Sequence, residues 1–103
     1  MVGADVFVEN FKTGGLAAKG LGWEDLRKIN PGLVYVSITG FGQTGPRSQQ
    51  PGYDYLAQSL GGLMSITGRS DDEVGGGPVR AGVAVADLST GMYATVALSL
   101  IHI

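Results

Sequence analysis

Two short apolar runs, separated by about twenty residues, set the first limit on how this chain can fold. Asp5-Val6-Phe7-Val8-Glu9-Asn10-Phe11 is β-branched and aromatic and reads as a strand. Leu33-Val34-Tyr35-Val36-Ser37-Ile38 is a stronger one, apolar at successive positions, as expected where both faces of a parallel sheet are covered. Between them, Thr13 and two glycines break the chain. Leu16-Ala17-Ala18-Lys19 then makes a short helical turn stopped by Gly20 and Gly22. Trp23-Glu24-Asp25-Leu26-Arg27-Lys28-Ile29 reads as a helix, its acids first and its bases last, with Leu26 and Ile29 on one face. Asn30-Pro31-Gly32 is a turn. Strand, helix, strand in this order is a βαβ unit with an expected right-handed crossover, so the fold class is α/β.

The second half reads differently. Gly40-Phe41-Gly42-Gln43-Thr44-Gly45 has the G-x-G-x-x-G spacing of a dinucleotide site. That motif works only when a helix starts at its end and offers its amides to a pyrophosphate. Here Pro46-Arg47-Ser48-Gln49-Gln50-Pro51 follows, so the glycines are read as a tight turn in a substrate-side loop. Tyr53, Leu56, Ala57, Leu60, Leu63 and Met64 recur at helical steps and predict one amphipathic helix over 53–64, with Gly61-Gly62 inside it. Residues 68–77, acidic and glycine-rich, are expected to form a solvated loop. Gly75-Gly76-Gly77-Pro78 has the glycines of a phosphate loop without its spacing or lysine. A last helix carries Met92, Val96 and Leu100.

Between Ala81 and Ile103 the only acidic or basic side chain, apart from His102, is Asp87. A lone carboxylate among Val83, Val85 and Leu88 is either hydrogen-bonded or employed. One reading makes it the N-cap of the last helix, with Ser89-Thr90-Gly91 leading in. The other makes it a nucleophile, for which the positive end of a helix is a favourable place.

Composition narrows the chemistry. With 9 acidic and 7 basic residues, a net charge of −2 and no basic cluster, nucleic-acid binding has no electrostatic footprint. The chain has no cysteine and one histidine, which removes thiolate chemistry and leaves zinc sites and a Ser-His-Asp triad unsupported. No metal site and no permanently bound cofactor are expected. The longest apolar run, from Met92 to Ile101, is too short to span a bilayer, and Met1-Val2-Gly3-Ala4-Asp5 lacks the basic start of a signal peptide. A cytoplasmic location without membrane contact is the expectation. Charged residues make up only 16% of a chain that is 44% hydrophobic, as in a piece whose surface is partly covered by missing neighbours.

Several words in the chain, taken in order, resemble the class III coenzyme A transferases (CaiB/BaiF type), a family that includes formyl-CoA transferases and is related to α-methylacyl-CoA racemases. They are residues 4–11, Gly22-Trp23-Glu24-Asp25-Leu26, Asn30-Pro31, residues 37–46, Pro51-Gly52-Tyr53-Asp54, Gly61-Gly62-Leu63-Met64, Thr67-Gly68, residues 82–87 and Gly91-Met92. The resemblance covers nearly the whole chain, while family members are several times longer. It implies that residues 1–103 are part of the N-terminal section of a Rossmann-like, parallel-sheet large domain, in a parent that forms an interlocked homodimer. Ser99-Leu100-Ile101-His102-Ile103 departs from the family's usual helix continuation; residues 98–103 are read as a non-native tail, and His102 is given no role.

The resemblance also implies a site. Asp87 falls on the family's nucleophilic aspartate and Tyr53 on an active-site tyrosine of formyl-CoA transferases. Asn10 and Phe11 fall on a strand-end pair that contacts coenzyme A. A basic CoA contact of some relatives falls on Ala18, and the adjacent Lys19 is its expected replacement. Asp54, at an acidic position of the family, is read equally as a cap of the 53–64 helix and as a functional group. The implied substrates are an acyl-CoA and a small carboxylic acid, and the fragment alone is expected to be inactive. Racemases carry a histidine at position 53, suited to moving an α-proton, whereas a tyrosine with its reference pKa near 10 is not. A racemase-like isomerase and a non-catalytic CoA-binding module are the alternatives.

Overall fold

The computed structural model describes residues 3–101, which divide into two compact units, one ending at Pro51 and the other beginning at Gly52.

In the first unit, β1 (Val6–Glu9) and β2 (Val34–Ser37) pair in parallel, Val6 opposite Val34 and Glu9 opposite Ser37. The ladder is extended at both ends by the Val34 amide donating to the Asp5 carbonyl and the Ile38 amide to the Glu9 carbonyl, each at 2.9 Å. The connection runs through a 3₁₀ turn, Ala17–Lys19, ended by Gly20 in the left-handed conformation (φ 70°), and then α1 (Trp23–Ile29). Glu24 and Asp25 occupy the first turn of α1 and Arg27 and Lys28 the last, the order the helix dipole favours. Leu26 (1% exposed) and Leu33 (3%) form the buried core, and Tyr35 lies against Phe7 and Trp23, with ring centroids 5.2 and 6.2 Å apart.

Two expectations need correction here. Ile29 does not share the burial of Leu26: a helix of two turns buries a single residue, and Ile29 is 55% exposed. The strands are not covered on both faces either. Among the described residues the sheet has two strands, every residue of β2 is half-buried, and Val8 is exposed. The glycine loop after β2 uses left-handed Gly42 (φ 80°) and Gly45 (φ 94°) to turn, and no helix follows it before Pro51, which removes the nucleotide reading.

In the second unit the helix expected over 53–64 is two pieces. Helix α2 spans Asp54–Leu60; the chain then turns through left-handed Gly62 (φ 81°) into a 3₁₀ segment, Leu63–Ile66. The expected apolar stripe is not buried: Leu60 is exposed, and the one buried residue of α2 is polar, Gln58. The segment expected as an open loop closes as a small antiparallel hairpin of β3 (Gly68–Arg69) and β4 (Gly77–Pro78). Gly68 is required there, since its φ is 119° and a Cβ would lie 2.6 Å from the Gly77 carbonyl oxygen. Helix α3 (Val85–Ile101) follows, apolar on all sides, with no buried residue; Met92, Val96 and Leu100 recur along it as expected but lie exposed. No helix among the described residues is long and apolar enough to cross a membrane. His102 lies outside the described residues.

Candidate active site

Helix α3 begins two residues before Asp87, so Asp87 occupies its first turn and is not the N-cap. The capping group is Asp54. Its Oδ1 accepts the Ala86 amide at 2.7 Å and the Asp87 amide at 3.3 Å, satisfying two of the amides that a helix start leaves open. Asp54 therefore does act as a cap, though of α3 and not of the helix it begins, where no side-chain capping bond forms. The cap position of α3 is filled from elsewhere in the chain, and the exposed Asp87 carboxylate accepts no hydrogen bond among the described residues.

Asp54 is in turn held by Gln58, one helical turn later and 2% exposed. The Gln58 Nε2 donates to Asp54 Oδ2 at 2.6 Å and to the Val83 carbonyl at 3.4 Å, and its Oε1 accepts the Ala81 amide at 2.8 Å. Each end of the carboxamide is used, as burial requires. Tyr53 precedes α2 in extended conformation, half exposed, its ring stacked on Tyr55 at a centroid distance of 6.2 Å. Tyr53 and Asp87 thus belong to one unit, whose α2 and α3 starts are joined through Asp54.

Asn10, Phe11 and Lys19 belong to the other unit. Asn10 and Phe11 follow β1 directly at its carboxyl end, the position where a parallel sheet offers ligand-binding loops, and both are exposed. Lys19 closes the 3₁₀ turn and is exposed. The bend that presents Phe11 depends on Glu9, buried to 8% exposure, whose carboxylate accepts the Phe11 amide at 2.7 Å and the Ser37 hydroxyl. Ser37 also accepts from Gln43 Nε2 at 2.5 Å. Tyr35 donates to the Leu21 carbonyl, and burial, with the Glu9 charge nearby adding to it, pushes its phenol above the usual tyrosine value. Glu9, Lys12, Trp23, Tyr35, Ser37 and Gln43 help line a recess of about 230 Å³, which none of Asn10, Phe11 or Lys19 reaches.

The sequence reasoning passed over Glu9 and Gln58. Glu9 was legible in part: an acid ending an apolar strand, with a hydroxyl at the matching place in the next, has a partner if the strands pair in that register. Gln58 carried only the four-residue spacing from Asp54. Among the described residues no cluster of acidic or histidine side chains could hold a metal ion.

An α/β segment with a strand-end loop and an exposed acid on a helix start is a common enough arrangement that comparison decides its family. The chain matches the model of CoA-transferase family III over residues 1–101 and belongs to that family. It is 56% identical over 101 residues to a succinate–glutarate CoA-transferase of Agrobacterium fabrum, covering 96% of this chain and 24% of that protein. It is 57% identical over 90 residues to the human succinyl-CoA:glutarate CoA-transferase, covering 87% of this chain and 20% of the relative. A crystal structure of a CaiB/BaiF family protein from Brucella suis superposes with a TM-score of 0.87 at 49% identity, over 95% of this chain and 25% of that one. The chain spans about a quarter of the length of the relatives it matches.

Proposed function

We propose that residues 1–103 are a large-domain segment of a longer CoA-transferase, with Asp87 as its nucleophile. The supporting observation is that Asp54 caps α3, while the exposed Asp87 carboxylate accepts no hydrogen bond among the described residues. A carboxylate attacks the thioester carbonyl of an acyl-CoA, the carbon–sulfur bond breaks, and an aspartyl anhydride and CoA thiolate result. The thiolate attacks the aspartyl carbonyl, releasing the first carboxylic acid and leaving an enzyme–CoA thioester. An acceptor carboxylate then reverses these steps and leaves as the new acyl-CoA. Covalent catalysis of this kind divides one difficult acyl exchange into easier ones.

Asn10 and Phe11, at the end of β1, and Lys19 are assigned to coenzyme A, and Tyr53 to the reacting acyl group. The names of the relatives favour short dicarboxylic acids of the succinate and glutarate kind as donor and acceptor. The parent is read as an interlocked homodimer, and the 103-residue piece alone as inactive. The test incubates the full-length parent with succinyl-CoA, traps with hydroxylamine and maps the label. A hydroxamate at Asp87, and activity lost by at least about a thousandfold in Asp87→Ala, are expected of a missing nucleophile. Label at another residue, or turnover retained in Asp87→Ala, overturns the assignment.

A further inference from the structure

Among the described residues Gln58 is the one buried polar residue of the second unit, and its hydrogen bonds all lead to Asp54 or to the approach to α3. It holds the approach to that helix at two points, the Ala81 amide and the Val83 carbonyl, and it holds Asp54, which grips the Ala86 and Asp87 amides. We infer that Gln58 is a positioning residue for Asp87: the Gln58–Asp54 clasp fixes where the first turn of α3 begins, and through it where the nucleophilic carboxylate stands. This inference rests on the assignment of Asp87 as nucleophile.

The polarity of the clasp is directional. Asp54 has only acceptors and must face a donor, so the Gln58 amide nitrogen is turned toward it and the carbonyl toward the Ala81 amide. Gln58→Glu would keep the shape and the Ala81 contact while setting one carboxylate against another. Asp54→Asn would keep an acceptor for the Ala86 amide and set one amide nitrogen against another. Making both changes together restores a donor facing an acceptor with the direction reversed. The carboxamide now at position 54 donates to the carboxylate at position 58 and still accepts the Ala86 amide. The long contact to the Val83 carbonyl is the exception, since a carboxylate oxygen then faces that acceptor in place of a donor.

The experiment uses the full-length parent with succinyl-CoA as probe, and reads hydroxylamine labelling of Asp87, kcat and KM, and amide hydrogen exchange at Ala81, Ala86 and Asp87. Gln58→Met, which keeps the volume, is expected to lower labelling and kcat by about ten- to a hundredfold, as for a reacting group displaced by a fraction of an ångström to an ångström. KM should stay within about twofold, because no assigned CoA contact is touched, and exchange at the three amides should quicken. The double variant, Asp54→Asn with Gln58→Glu, should recover most of what either single change loses. Wild-type labelling in Gln58→Met, or a double variant no better than Gln58→Glu alone, overturns the proposal. Label found away from Asp87 in the unsubstituted enzyme instead refutes the nucleophile assignment. In that event the clasp stands or falls on exchange at Ala86 and Asp87, and unchanged exchange in Gln58→Met refutes it.

Discussion

Replacing Glu9 by Gln tests the least expected group in the first unit. The Glu9 carboxylate accepts two hydrogen bonds, from the Phe11 amide and the Ser37 hydroxyl, while buried at the end of β1. A hydrogen bond to a charged group contributes about 1.5–3 kcal/mol and a neutral one about 0.5–1.5. Glutamine can keep neutral versions of both, so Glu9→Gln should cost about 2–3 kcal/mol. Alanine keeps neither and should cost roughly 3–6. Denaturant unfolding of the full-length parent, compared at constant m-value, gives these differences. The substitution has a second, independent signature at Tyr35, whose raised pKa comes first from burial and then from the Glu9 charge. Removing the charge should lower it part of the way toward 10, the ordinary value, and leave the burial effect in place. A raised phenol pKa means that folding favours the neutral ring. That stabilisation is fully present below the ordinary tyrosine value and is lost as pH rises through the higher folded one. Glu9→Gln should therefore narrow the alkaline window over which stability falls. Phenolate absorbance, taken as the difference from a matched Tyr35→Phe pair, follows the single ring. An unchanged Tyr35 titration together with a loss under about 0.5 kcal/mol would refute the account of Glu9 as a charged tie between the strand ends.

Leu26→Ala should destabilise the parent by about 2–5 kcal/mol, because Leu26 is 1% exposed and anchors α1 by itself; thermal or denaturant unfolding measures the loss. In the hairpin turn, the Ser70 hydroxyl bonded to Asp72 is the main cause that holds the Asp72 carboxyl below its usual pKa. Ser70→Ala should raise it toward the ordinary value in a carboxyl NMR titration. The stabilisation concerned is present above the unfolded carboxylate pKa and lost as pH falls through the folded one, and at a fully exposed site it should leave Tm unmoved.

How far each element could be read depended on the range of the forces that set it. Helix α1 came out at its expected limits because its signals are local: a glycine ahead of it, acids then bases along it, and Asn30-Pro31 behind it. The pairing of β1 with β2 was legible from two apolar runs and the length between them. The split of the 53–64 helix was visible only as a glycine pair, and left-handed Gly62 decided it. The start of α3 could not be read locally at all. Asp87 looked like its cap because the true cap, Asp54, lies 32 residues back from the Ala86 amide. Burial of Gln58 ran against composition, since a polar residue is admitted there only when every bond it needs is present. Gln58 and Asp54 act through contacts 23 to 33 residues away in sequence, which no local pattern announces.

The bond between Gln58 and the Ala81 amide, 23 residues apart, closes a ring around the whole hairpin. Because the ring is tied at its base, its circumference is free to change. Doubling a flexible loop costs only about 0.6 kcal/mol in closure entropy, far less than moving a helix start. The stretch between the tie points can therefore be lengthened or shortened while the start of α3, and Asp87 in its first turn, keep their place.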